Sequence, residues 1–381
     1  MPVIRRERLM ATLRGEAVDR PAVSFYEIGG FDIKPDDSDA FNIYSDLSWR
    51  PLLELAEDET DLIRMRAPLL VPGPGNCRDR FFRAETCTER GCRFVRTTLR
   101  VAGRTMTALS KRDPNLDTVW QVEHLLKNAE DLKAYLELPD EVFAYEPDVG
   151  NLLAAEREVG DRGIVMVDAE DPLCAAASLF SMADFTVTAF SEQDLFGRLL
   201  EKLAPHYHQR TRAVAQAMPG RLWRIYGPEF AVEPYLPSRL FEKYVVRHTG
   251  PMVSAIHAGG GFARIHCHGR IRSALPHIAE MGADAIDPIE PPPLGDVALA
   301  DVRRQYGDRL VLFGNLELRD IEMMAPREFE KMVAKALRDG TSGRGRGFVL
   351  MPSACPCGRT ITPRTLANYR TIVRLAAGYH Q

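Results

Sequence analysis

From about residue 160 to its end, the chain repeats one pattern, and that pattern limits the fold more than any other feature of it. A short apolar run rich in β-branched residues is followed by a turn, then by a stretch of helical period. Residues 163–168, 222–226, 262–266, 285–289, 310–313 and 348–351 are such runs. Two earlier runs, 22–28 and 62–65, bring the strand count to eight. Strands that alternate with helices pair in parallel, and eight such units close on themselves. The pattern predicts one (β/α)8 barrel over residues 1–381, with an open doubly wound sheet as the runner-up. No Gly-x-Gly-x-x-Gly follows a strand, so nothing supports a dinucleotide site.

Local signals place the helices. Helical stretches are expected at 175–190 and 191–218, with Ser191 and Asp194 as cap and partner and Pro205 as a kink or break. Ser238 is expected to cap a helix that Gly259-Gly260-Gly261 stops. Helices are also expected at 271–281 and 296–306. Phe329, Met332, Val333, Ala336 and Leu337 form one apolar helical face. Thr362 followed by Pro363 opens the final helix.

Residues 75–120 depart from the pattern. They read as β-hairpins turning near Gly91 and Gly103, an insertion between the second and third barrel units with the position of a lid. Its cysteines, Cys77, Cys87 and Cys92, contain no C-x-x-C and read as free thiols rather than a structural zinc site.

Composition excludes several classes of function. Hydrophobic residues are 45% of the chain, enough for a large core. The net charge is −4 without a basic run, which argues against a nucleic-acid partner. No apolar run approaches the roughly 18–20 residues that span a bilayer. Seven cysteines, an odd number, argue against a disulfide framework and for a reducing, cytoplasmic setting.

In such a barrel the loops after the strands build the active site. Polar residues crowd those positions. Tyr26 and Glu27 follow the first strand, and Asp168, Glu170 and Asp171 the third. Glu229 follows the fourth strand, His266-Cys267-His268 the fifth, and Asp287 and Glu290 the sixth. Asn315 and Glu317 follow the seventh, Cys355 and Cys357 the eighth. His266 and His268 lie two apart in a strand, so both imidazoles should face the mouth and Cys267 the opposite side. His-x-His at a strand end suits a transition metal, zinc above all, with a thiolate from Cys355 or Cys357. Glu229 is a candidate ligand or general base, and Glu290 and Asp168 are candidate catalytic carboxylates.

Taken in order, several segments resemble the uroporphyrinogen decarboxylase superfamily, which includes zinc-dependent methyltransferases that act with corrinoid proteins. They are RERLMATLRGEAVDRPAVSFYEIGG, GPEFAVEPYLPSRLFEKYV, GGFARIHCHGRI, MGADAIDPIEPP, LVLFGNLE and PSACPCGRTITPRTLANY. The resemblance implies a (β/α)8 barrel. The decarboxylase holds its porphyrinogen carboxylates with an Arg-Gln-Ala-Gly-Arg segment, where this chain has Tyr26-Glu27-Ile28-Gly29-Gly30. Porphyrinogen decarboxylation is therefore not expected. The methyltransferases bind zinc through His-x-Cys and a C-terminal Cys. Here His266 matches their histidine, His268 stands at their cysteine, and Cys355 or Cys357 lies near the last position. Fewer thiolates leave zinc more Lewis-acidic, so a substrate other than a thiol is implied.

The resulting expectation is a zinc-dependent methyltransferase with metal at His266, His268 and Cys355. It moves a methyl group between a small substrate and cobalamin on a corrinoid partner protein, with Tyr26 and Asn315 toward the cofactor. The alternatives are a lyase acting on a smaller carboxylated substrate without metal, and a non-catalytic barrel that binds a corrinoid or other ligand. The decarboxylase relatives imply a homodimer.

Overall fold

A computed structural model describes residues 3–25, 28, 30 and 33–379. In chain order the strands are β1 (Ala22–Val23), β2 (Leu62–Arg66), β3 (Leu69–Pro72), β4 (Phe82–Glu89), β5 (Cys92–Val101), β6 (Arg104–Arg112), β7 (Val119–Glu123), β8 (Tyr145–Asp148), β9 (Gly163–Glu170), β10 (Leu222–Tyr226), β11 (Phe262–His266), β12 (Ala285–Asp287), β13 (Val311–Leu316) and β14 (Phe348–Pro352). One eight-stranded sheet has the order β1-β14-β13-β12-β11-β10-β9-β2, and every pairing in it is parallel. The backbone N–H of Asp61 donates to Val23 O at 2.7 Å and brings the two end strands together. The expected α/β barrel is what forms.

Two apolar clusters flank the sheet. Ile63, Met65, Ile164, Met166, Leu222, Ala285, Val311, Phe313, Val349 and Met351 fill the barrel interior together with Leu9 and Leu13. A larger cluster seals the outer face of the sheet against the helices. Alternate strand residues serve alternate clusters, as a pleated strand requires.

Several local expectations need correction. The first strand is two residues long, not seven. The helix expected at 175–190 is two, Pro172–Ala177 and Met182–Ser191. Ser191 ends the second of these and caps nothing. Ser181 is the cap, accepting from Asp184 N at 3.1 Å and donating to its carboxylate at 2.6 Å. The helix Gln193–Ala217 runs unbroken through Pro205, because Pro205 and Glu201 are exposed and water can bond the Glu201 carbonyl that loses its partner. Ser238 precedes a helical segment without a side-chain cap bond. Thr362 caps Pro363–Ala377 as expected.

The insertion is larger than the sequence suggests. β4 to β7 form a four-stranded antiparallel sheet, and β3 pairs antiparallel with β8. The insertion is tied to the loop after β14. Asp117 N donates to Cys357 O at 2.9 Å, and Arg359 N to Asn115 O at 3.0 Å. The Arg359 guanidinium adds bonds to Ala40 O and Pro114 O, and Trp49 Nε1 donates to Arg359 O. All cysteines are free thiols. Among the described residues, no helix is long and apolar enough to cross a membrane.

Candidate active site

Above the apolar interior, the same inward-facing parity carries charge. Arg224 follows Leu222 by two residues, Arg264 and His266 follow Phe262, and Asp287 follows Ala285. Arg224 donates to Asp168 at 2.8 Å. Arg264 Nε lies 3.0 Å from Asp287 Oδ1, and His266 Nδ1 is 2.8 Å from Asp287 Oδ2. Arg264 also sits over the Phe313 ring at 4.8 Å. This ionic layer forms the floor of the mouth.

Burial pushes the His266 pKa down to about 3 despite the adjacent Asp287 charge. Burial also opposes charge on Asp287, but Arg264 and His266 outweigh it and hold that carboxyl well below its usual range. A neutral imidazole beside an ionised carboxylate donates Nδ1–H to it and carries its lone pair on Nε2. His268 repeats the arrangement one step higher. Its Nδ1 is 2.8 Å from Glu290 Oε1, and Gly269 N donates to Glu290 Oε2 at 2.6 Å. Burial works against charge on His268, but the bond to Glu290 prevails and raises its pKa. The two imidazoles share one side as expected, their centroids 4.5 Å apart and their planes at 86°. Cys267 packs in the outer cluster on the opposite face.

Glu229 lies in a short turn after β10, its carboxylate accepting from Gly227 N at 2.9 Å. Burial raises its pKa. Behind it, fully buried Asp171 accepts from Cys174 N at 2.7 Å and Thr249 Oγ1 at 2.9 Å, and burial pushes it up to about 8. Gly227 makes this approach possible. Its φ is +123°, and a Cβ there would meet Asp171 Oδ1 at 2.2 Å. Glu317 lies at the end of β13, its Oε2 accepting from Ser353 Oγ at 3.2 Å. Burial and the nearby Glu290 charge raise it to about 7.

The expected residues meet different fates. His266, His268, Glu229 and Glu290 share the mouth. Asp168 is also there, but as the partner of Arg224. Asn315 has the inward parity of Phe313 and is half-buried. Tyr26 lies outside the described residues. Cys355 is not gathered with the two histidines, because it packs in the outer apolar cluster with Sγ directed at Pro356 O, 3.5 Å away. Among the described residues, no group of three or more His, Cys, Asp or Glu side chains is arranged to hold a metal ion. Arg224 and Arg264 escaped the reading of the sequence, which searched loops for acids and imidazoles. Counting by twos from Leu222 and Phe262 finds both.

Over residues 116–374, more than half of the chain, the sequence matches the family described as uroporphyrinogen decarboxylase (URO-D). The chain belongs to the uroporphyrinogen decarboxylase family. No curated protein matches it. Among solved structures it is similar to a methyltransferase from Methanosarcina mazei, at 14% identity with a TM-score of 0.60, covering 99% of each chain. A D-psicose 3-epimerase is 12% identical with a TM-score of 0.32, covering 66% of this chain and 86% of that one. A muconate lactonizing enzyme from Pseudomonas putida is 11% identical with a TM-score of 0.28, covering 77% and 76%. The first likeness shows a shared fold over nearly the whole of both chains.

Proposed function

We propose that this family member is a methyltransferase, moving a methyl group between a small substrate in the barrel mouth and a cobalamin carried by a corrinoid partner protein. The observation that carries the reading is the imidazole pair, each ring fixed through Nδ1 by its own carboxylate. Metal-binding histidines are oriented in this way, with the other ring nitrogen directed at the ion.

His266 and His268 fit an imidazole-held zinc, whereas Cys355 does not join them, so the third ligand stays unassigned. When bound, zinc would supply a Lewis-acidic centre beside the substrate. The chain's own groups do the rest. The ionic floor fixes the His266 ring and closes the bottom of the site to water. Glu290 orients His268. Glu229, buried and biased toward its neutral form, is placed to pass a proton to or from the substrate. A lyase acting on a carboxylated substrate fits less well, since both inward arginines are already matched by aspartates.

The test is metal analysis of protein purified without a His tag and supplied with zinc. About one equivalent is expected, lost in the His266→Ala/His268→Ala variant. Methyl transfer to cob(I)alamin, followed by its absorption bands, should disappear with it. Protein that takes up no zinc, or transfers methyl groups unchanged in the variant, contradicts the reading.

A further inference from the structure

Glu317 is out of keeping with its position. It occupies the N-cap of the helix Leu318–Met323, yet its side chain makes no cap bond. Its carboxyl instead takes a bond from Ser353 Oγ, which itself accepts from Leu318 N at 3.3 Å. The Ser353 proton is thereby committed to Oε2. Oε1 is buried and has no hydrogen-bond partner among the described residues, and the whole residue is 9% exposed. A buried acceptor without a donor is costly, and such a group commonly marks a place where a ligand supplies the donor.

The charges around it specify the donor. The inward arginines, Arg224 and Arg264, are matched by Asp168 and Asp287. The remaining acids of the mouth are Glu170, Glu229, Glu290 and Glu317. Their partners are the Tyr207 hydroxyl, Gly227 N, His268 with Gly269 N, and Ser353. None of these partners is an arginine or lysine. Glu290 is balanced by His268, whose pKa it raises, whereas Glu229 and Glu317 have no ion pair among the described residues. A cation entering the mouth would favour the ionised forms of these two acids, and a carboxylate would oppose them.

We infer that the substrate of this site is a small protonated methylamine, whose N–H is received by Glu317 Oε1. The inference rests on the methyl-transfer reading for the word substrate, but the binding it asserts is separate from transfer. A protonated amine brings the missing donor and the missing positive charge in one group.

The experiment is calorimetric titration of the intact protein with four probes of similar size. Trimethylammonium has charge and an N–H, and tetramethylammonium has charge alone. tert-Butanol has a donor without charge, and pivalate has the opposite charge. Trimethylammonium should bind at least about tenfold more tightly than tetramethylammonium or tert-butanol, as a charged hydrogen bond to a buried acceptor implies. Pivalate should not bind. Glu317→Gln should lower trimethylammonium affinity about tenfold or more while leaving the thermal melt of the protein in place. Equal affinity for trimethylammonium and tert-butanol, or preferred binding of pivalate, overturns the inference. Binding of trimethylammonium without methyl transfer to cob(I)alamin supports it and overturns the methyltransferase reading instead.

Discussion

Removing the Asp287 carboxylate takes a buried charged partner from two groups at once, the Arg264 guanidinium and the His266 imidazole. Asp287→Ala is expected to lower stability by about 3–5 kcal/mol, the usual penalty for leaving a buried charge uncompensated. Urea denaturation measures it, and a loss below about 1 kcal/mol would mean that the pair is hydrated like a surface one. Asp171 gives a second prediction, with an opposite pH logic. Its folded pKa of about 8 lies above the ~3.9 of an unfolded aspartate. The folded chain thus keeps a proton that the unfolded chain releases. The stability linked to Asp171 is full below about pH 4 and is lost as pH rises toward about 8. Glu229 and Glu170 press in the same direction. Asp171→Asn keeps an acceptor for Cys174 N, turns its NH2 as a donor to the Thr249 hydroxyl oxygen, and removes this titration. Denaturation midpoints across that range should favour the variant increasingly as pH rises; parallel curves would refute it. At this scale the sequence displayed the histidine pair, because a spacing of two fixes its side. It concealed the partners, because Asp287 and Arg264 meet across neighbouring strands rather than along one.

Capping separates two look-alike segments. Ser181 and Ser191 both stand three residues before an aspartate, and only Ser181 caps a helix. Ser181→Ala should cost about 1 kcal/mol and Ser191→Ala close to nothing, by thermal or urea melts. Comparable losses would mean that the helix break near Glu192 is misplaced. The pattern alone cannot choose between the two, since what decides it is whether the chain turns at residue 181 to pack Phe185 into the outer cluster. The turn after β10 offers another contrast. Gly227→Ala meets both a strained φ and the Asp171 carboxyl, so it should cost at least about 2 kcal/mol and perturb Glu229 with it. The strand itself was plain in the sequence as an apolar run. The glycine's role was not, because the atom it avoids lies on β9's loop.

The barrel as a whole was legible from its eight apolar runs, since a parallel sheet buried on both faces writes its strands as such runs. The insertion was only half legible. Hairpins β4 to β7 are local and show in their glycine turns, but β3 pairs with β8 across more than seventy residues, and no periodicity records that. Arg359 then joins this insertion to the mouth loop and to the segment after β1. Arg359→Ala should raise amide hydrogen exchange at 113–117 and 353–361 together while leaving β9 to β12 protected. Exchange confined to one of the two segments would show that they are held independently. The ionic floor has a consequence of its own for how a barrel of this kind diversifies. Because Asp168 accepts from Arg224 at 2.8 Å and balances its charge, neutralising Asp168 would leave a positive charge of the floor unmatched by that carboxylate beneath the incoming ligand. One replacement could thus exchange a preference for cations for a preference for acids, with every strand left where it is.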